Sequence, residues 1–167
     1  MIGFTQSFSD PVLAQVGDET IRQSEFVVYL GGFSNTVVGN GALSPELRRA
    51  ILTNLIQQKI LLQLAGRARV SEDPGFKKML RDSRGSSTDD LMVRYYLSHV
   101  QSSLSVSEAD VQAYSKTHAQ KLKLAHADIV SALQAEKLPA ALSRDIATIP
   151  VTINEAKLNS LDLPVSH

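Results

Sequence analysis

One stretch, Ser44 to Arg69 (SPELRRAILTNLIQQKILLQLAGRAR), constrains this chain more than any other. Ser44 is a good N-cap, because its hydroxyl accepts a hydrogen bond from a free backbone N–H of the first turn. Pro45 falls at the first helical position, where its missing N–H costs little. Leu47, Ile51, Leu52, Leu55, Ile56, Ile60, Leu61 and Leu64 recur at three- and four-residue steps and so share one side of a helix. Glu46, Arg48, Arg49, Asn54, Gln57, Gln58 and Lys59 fill the other side. A stripe this wide packs against more than one partner, so the segment reads as the central core helix and carries no chemistry of its own.

Around that helix the rest of the 167 residues suits a single domain, expected over 11–159, with a loose lead-in at 1–10 and a tail at 160–167. Aromatics are few and Trp is absent, which fits a helical core of Leu, Ile, Val and Ala. Seventeen basic residues balance seventeen acidic ones, unlike the basic footprint of a nucleic-acid binder. The basic residues concentrate between Ser44 and Arg94, a pattern typical of a solvated helix face. Cysteine is absent, which excludes disulfides, thiol catalysis and cysteine-ligated metals within this chain. No apolar run approaches the ~18 residues of a membrane helix. The opening MIGFTQSFSD has no basic n-region and no long apolar h-region, so it does not read as a signal peptide.

In chain order, PVLAQVGDETI (11–21) reads as a hairpin turning at Gly17-Asp18. Gln23–Phe33 reads as a helix without an obvious cap, ended or weakened by Gly31-Gly32. Residues 34–43 form a Gly/Asn-containing loop. Beyond Arg69, Ser71 is expected to cap a helix with Pro74 in its first turn. Gly85-Ser86-Ser87 interrupts it, and Thr88-Asp89-Asp90 restarts it. Ser107 and Asp110 fit a capping box, with Val106 and Val111 as its hydrophobic staple. Residues 117–147 read as one or two helices, with Leu122, Leu124, Ile129, Leu133, Leu138, Leu142 and Ile146 buried, and Pro139 argues for a break near Lys137-Leu138. IPVTI (149–153) reads as a short strand, followed by a turn capped by Asn154. The fold class is therefore mostly α with a small β element.

The order of these signals resembles a known family. VLAQVGDETIRQSEF, the long helix LRRAILTNLIQQKILLQLA, a helix opening at VSEDPGF, and VSEADVQAYSKTH together resemble the N-terminal chaperone domain of the SurA and PrsA-like periplasmic foldases. The likeness covers about residues 11–118, and LPAALSRDIATIPVTINEAKL resembles the segment that returns to that domain. The resemblance implies pairing of Val151–Ile153 with the strand near Val12–Val16, and a periplasmic or otherwise extracytoplasmic location. In many members a parvulin prolyl isomerase domain lies between these two parts. Here only some twenty residues separate His118 from Leu138, far short of a ~100-residue domain. LKLAHADIV, with His126 at the place of a parvulin histidine, is read as helix, and no isomerase activity is expected.

Other chemistry is unsupported. His99, His118, His126 and His167 match no common metal spacing, so no metal site and no cofactor are expected. No nucleophile elbow surrounds any serine, and neither glycine pair is followed by Lys-Ser/Thr as a phosphate loop requires. No catalytic residue is assigned. A chaperone needs instead an accessible apolar groove with a polar rim. The candidates for peptide contact are Phe26, Tyr29, Leu30 and Phe33 on the first helix, and Met79, Met92, Tyr95 and Tyr96 later. Met adapts by flexibility and Tyr joins an apolar body to a polar tip. Core packing is the competing reading for each, and adjacent Tyr95 and Tyr96 cannot both face one core.

The expected function is therefore an extracytoplasmic chaperone-like module for unfolded or extended polypeptide. A second possibility is a structural or assembly subunit for one dedicated envelope partner, in secretion or exopolysaccharide export. A degenerate isomerase is the weaker third. Apolar helices and terminal strands also permit a domain-swapped homodimer.

Overall fold

The structure, a computed structural model, describes residues 9–32, 43–119 and 124–161. The fold is mostly α, with one small antiparallel sheet. The elements in order are β1 (Val12–Val16), β2 (Glu19–Arg22), α1 (Gln23–Gly31), α2 (Pro45–Arg67), a 3-10 turn (Val70–Glu72), α3 (Pro74–Asp82), α4 (Thr88–Ser103), α5 (Glu108–Tyr114), a π turn (Ser115–Ala119), α6 (His126–Ile146), β3 (Val151–Ile153) and α7 (Glu155–Asn159). Among the described residues no helix is long and apolar enough to cross a membrane. Where the sequence reads as one domain over 11–159, the chain divides into two compact units, Met1–Ile60 with Ile149–His167, and Leu61–Thr148. The division falls inside α2.

The first unit holds the sheet, in the order β2-β1-β3. β1 and β2 form the expected hairpin, and a positive φ of 56° at Gly17 makes its two-residue turn. The register with β2 shifts between Val12 and Ala14, leaving Leu13 as the extra residue of a bulge. Leu13 and Ala14 are consequently both buried, although neighbours on a regular strand face opposite ways. β3 pairs with β1 on the other side, Ala14 opposite Ile153 and Val16 opposite Val151. Thus the two distant strands meet as anticipated. Phe26 and Leu30 of α1, Ile51, Leu52, Leu55, Ile56 and Ile60 of α2, and Leu158 of α7 are among this unit's buried apolar residues, along with Ile21 and Val16. The α2 stripe is therefore core, and Ser44 caps it by accepting from the Leu47 N–H at 3.2 Å.

Two segments expected to be loose belong to this unit. Asp10, placed in the lead-in, accepts from the Ser24 N–H at 2.8 Å and from its hydroxyl at 2.7 Å. It supplies the cap that Arg22 lacks. Leu161, placed in the tail, is buried, and its carbonyl accepts from Arg48 at 3.1 Å. Arg48 also donates to Leu43 O at 3.0 Å and Asn159 O at 3.2 Å, so it is not on a purely solvated face. Lys59, read likewise as solvent-side, is half-buried and pairs with Glu25 at 2.7 Å and Glu19 at 3.3 Å. Residues 1–8, 33–42 and 162–167 lie outside the described ones, and with them most of the expected loop.

In the second unit, Asp73 rather than Ser71 caps α3, accepting from the Gly75 N–H at 2.7 Å and the Phe76 N–H at 3.4 Å. The reason is local: Pro74 forces the residue before it into extended backbone, and an N-cap requires that conformation. Residues 83–87 separate α3 from α4 as expected. The capping box of α5 is present, and Val106 packs against the cluster of Val111, Ile129 and Leu133 that joins α5 to α6. The break expected at Pro139 does not occur, because α6 runs unbroken from His126 to Ile146. Pro139 and Ala135 are exposed, so water can satisfy the carbonyl that the proline leaves without a donor. Of the apolar set expected here, Leu138 and Leu142 are half-buried, Ile146 is 36% exposed, and Leu122 lies outside the described residues.

Candidate functional site

The sequence-named candidates separate into core and rim. On α1, Phe26 is fully buried and Leu30 nearly so, so neither is available to a peptide. They face the core because they stand four positions apart on the helix. Tyr29 is half-buried, and Phe33 lies outside the described residues. Val28, which the sequence reading passed over, is 78% exposed. Its place on the side of α1 away from Phe26 and Leu30 is the signal that could have found it.

In the second unit Tyr96 is buried while Tyr95 stays partly exposed, dividing the pair as adjacency on a helix demands. Burial, helped by the charge of Asp145, holds the Tyr96 hydroxyl above its usual pKa. Tyr96 is thereby removed from the peptide-contact set. Tyr95 donates to Asp73 at 2.6 Å, and its ring meets Phe76 edge-on with centroids 5.6 Å apart. His99 stacks on its other flank at 6.5 Å. The Tyr95 bond, then those from the Gly75 and Phe76 N–H groups, hold the Asp73 carboxyl below its usual range despite some desolvation. The same bond raises the Tyr95 hydroxyl. Tyr95 is therefore a structural clamp that stays partly exposed. Met79 and Met92 are half-buried.

A shallow groove of about 420 Å³ lies between α4 and α6, lined by Arg94, Ser98, Gln101, Ser102, Ser131 and Gln134, with Leu97 as its apolar side chain. Gln134 donates to Leu104 O at 3.0 Å, and Gln101 reaches Ser131 O at 3.4 Å. These bonds tie the two helices together, and every lining residue but Leu97 is polar. The eight named residues thus form no single apolar groove among the described residues. The large apolar side chains most exposed there are Val28 and Val151 in the first unit, and Leu80 and Ile146 in the second.

Among the described residues no group of three or more His, Cys, Asp or Glu could hold a metal. His118 stacks on Tyr114 at 4.6 Å, apart from the Tyr95–His99 pair. No protein-family model matches this chain, and no curated protein matches it either.

Proposed function

We propose that this protein is an extracytoplasmic, chaperone-like module that binds unfolded or extended polypeptide, uses no cofactor and catalyses no prolyl isomerisation. The observation that carries the reading is the junction of chain ends: β3 comes back to β1 in the register Ala14–Ile153, Gln15–Thr152 and Val16–Val151. This is the pairing implied by the resemblance to the SurA and PrsA-like foldases. Further support comes from the exposed apolar side chains of the same unit, Val28 and Val151. The chain between His118 and Leu138 leaves no room for an isomerase domain, and from His126 onward it is helix.

The test is light scattering of a urea-unfolded outer-membrane-type protein diluted with and without this chain. Suppressed aggregation near a one-to-one ratio is the expected result. Unchanged aggregation overturns the general-chaperone reading. A protease-coupled proline isomerisation assay is expected to show no rate above background.

A second reading is a structural subunit for one dedicated envelope partner. The α4–α6 groove favours it, because its mix of polar side chains, Arg94 and Gln101 among them, with the apolar Leu97 selects among partners more strongly than a purely apolar surface. Capture of one partner at stoichiometric yield, with generic clients unaffected, would establish it.

A further inference from the structure

Among the described residues, the order β2-β1-β3 leaves β3 with a partner on one side only. Two bonds bracket its ladder to β1, Gly17 N–H to Pro150 O at 2.8 Å and Asn154 N–H to Leu13 O at 2.8 Å, with Gln15 opposite Thr152 between them. Backbone groups of successive strand residues point to alternate edges. The N–H and C=O groups of Val151 and Ile153 therefore face away from β1. Among the described residues no hydrogen bond reaches them.

The side chains at these positions are also incompletely covered. Val151 is 40% exposed and Ile153 half-buried, beside Val16 and Ala14, which are buried. An apolar row begins in the core and runs out to the edge without closing. Natural edges are commonly guarded by Lys, Pro or a bulge. β3 is only three residues long and follows Pro150, but Val151-Thr152-Ile153 itself carries no charge, no proline and no bulge.

We infer that the outer edge of β3 is a peptide-binding site, taking an extended, uncharged segment with apolar side chains at alternate positions as a fourth strand. The partner's chemistry follows from the edge. The N–H and C=O groups that face away from β1 require a backbone in β conformation, and Val151 and Ile153 require apolar side chains two residues apart. An uncharged strand gives a charged segment nothing to pair with. The inference rests on the chaperone reading and gives its client a place on the molecule.

The test uses the full chain and a fluorescein-labelled, end-blocked octapeptide of alternating Val and Thr, with a twin N-methylated along its central residues. Anisotropy titrations compare the wild type with Val151→Lys, which guards the edge with a charge, and with Ile153→Pro, which removes one outward N–H. Circular-dichroism melting checks that each variant folds. The expected result is binding to the wild type, weakened tenfold or more by N-methylation and by Val151→Lys, with melting unchanged. Equal binding of the twin, undiminished binding to Val151→Lys, or no binding to the wild type overturns the inference. So does a concentration-dependent dimer that Val151→Lys abolishes, since the edge would then belong to a second copy. Aggregation suppression separates this claim from the parent reading. A Val151→Lys variant that holds clients as well as the wild type sinks the edge site and leaves the chaperone standing. Edge-dependent probe binding without suppression does the reverse.

Discussion

The Arg48 guanidinium donates to the carbonyl of Leu161 at 3.1 Å, joining residues 113 positions apart. The same side chain serves the carbonyls of Leu43 and Asn159, so it fastens the start of α2 to the end of α7. Replacing it with Met keeps the stem and leaves half-buried carbonyls without a donor. Arg48→Met is expected to lower stability by about 2 kcal/mol, in the range of bonds to a charged group. Arg49→Met, which removes an exposed pair with Glu155, is expected to change it by less than ~1 kcal/mol. Urea denaturation of both variants checks the contrast, and equal losses would mean that Arg48 is no fastener.

On α1 the burial pattern separates two residues that lie two positions apart. Phe26→Ala opens a cavity at a fully buried position and is expected to cost about 3–5 kcal/mol. Val28→Ala removes a side chain that is 78% exposed and should stay within about 0.5 kcal/mol. The midpoint of guanidinium unfolding reads both. If Val28→Ala also weakens client holding while leaving that midpoint alone, α1 contributes to the binding surface.

Gly75 sits under the clamp between Asp73 and Tyr95. A Cβ there would lie 2.5 Å from the Tyr95 hydroxyl oxygen, so the ring must swing and release Asp73. Gly75→Ala is expected to lower the melting temperature in the wild type and to lower it less in a Tyr95→Phe background. Such non-additivity is the mark of residues sharing one contact. Additive losses would show that the hydroxyl is not what Gly75 accommodates.

Legibility in the sequence followed the range of the interaction. The cap at Ser44, the box at Ser107 and Asp110, the turn at Gly17 and the strand at Val151–Ile153 are set by residues within a few positions, and each was readable. Asp10 capping α1 from fourteen residues away, Arg48 reaching Leu161, and Lys59 between Glu19 and Glu25 depend on partners that only the folded chain supplies. Ser71 reads as the cap because serine is a good one, but the deciding constraint is the proline that follows Asp73. The candidate site was less legible than the fold. Composition flags Phe, Tyr and Met, whereas the exposed edge of β3 is made of Val and Ile that look like core in any pattern.

The depressed carboxyls give stability an acid limb. The Ser24 hydroxyl and N–H lower Asp10, Tyr95 lowers Asp73, and the Lys137 and Ser107 bonds lower Asp110, each from an ordinary value of 3.8. A lowered carboxyl contributes stability above its unfolded pKa and loses it as pH falls through the folded one. Lys59 works at the other end. Burial disfavours its charge, but the hydrogen bonds and charges of Glu25 and Glu19 outweigh that and raise it above 10.5. Its contribution is complete below 10.5 and fades as pH rises through the folded value. Melting temperature is thus expected to fall below pH 3.8, and Asp73→Asn should flatten part of that fall. A wild-type curve that Asp73→Asn leaves unchanged in shape would remove Asp73 from the account.

Pro139 stands inside α6 without ending it. The ring denies Ala135 O its helical donor and crowds that carbonyl, a penalty of ~3 kcal/mol in an ordinary helix interior. The helix persists because Ile129 and Leu133, about three and two turns earlier, are anchored against Val111, and because the disturbed carbonyl belongs to an exposed residue. Water recovers part of the loss, so Pro139→Ala should stabilise the chain by about 1–3 kcal/mol. It should also slow amide exchange at the neighbours of residue 139, where the restored N–H to Ala135 O bond closes the gap. Stability and exchange rates unchanged by Pro139→Ala would mean that the proline imposes no strain on α6.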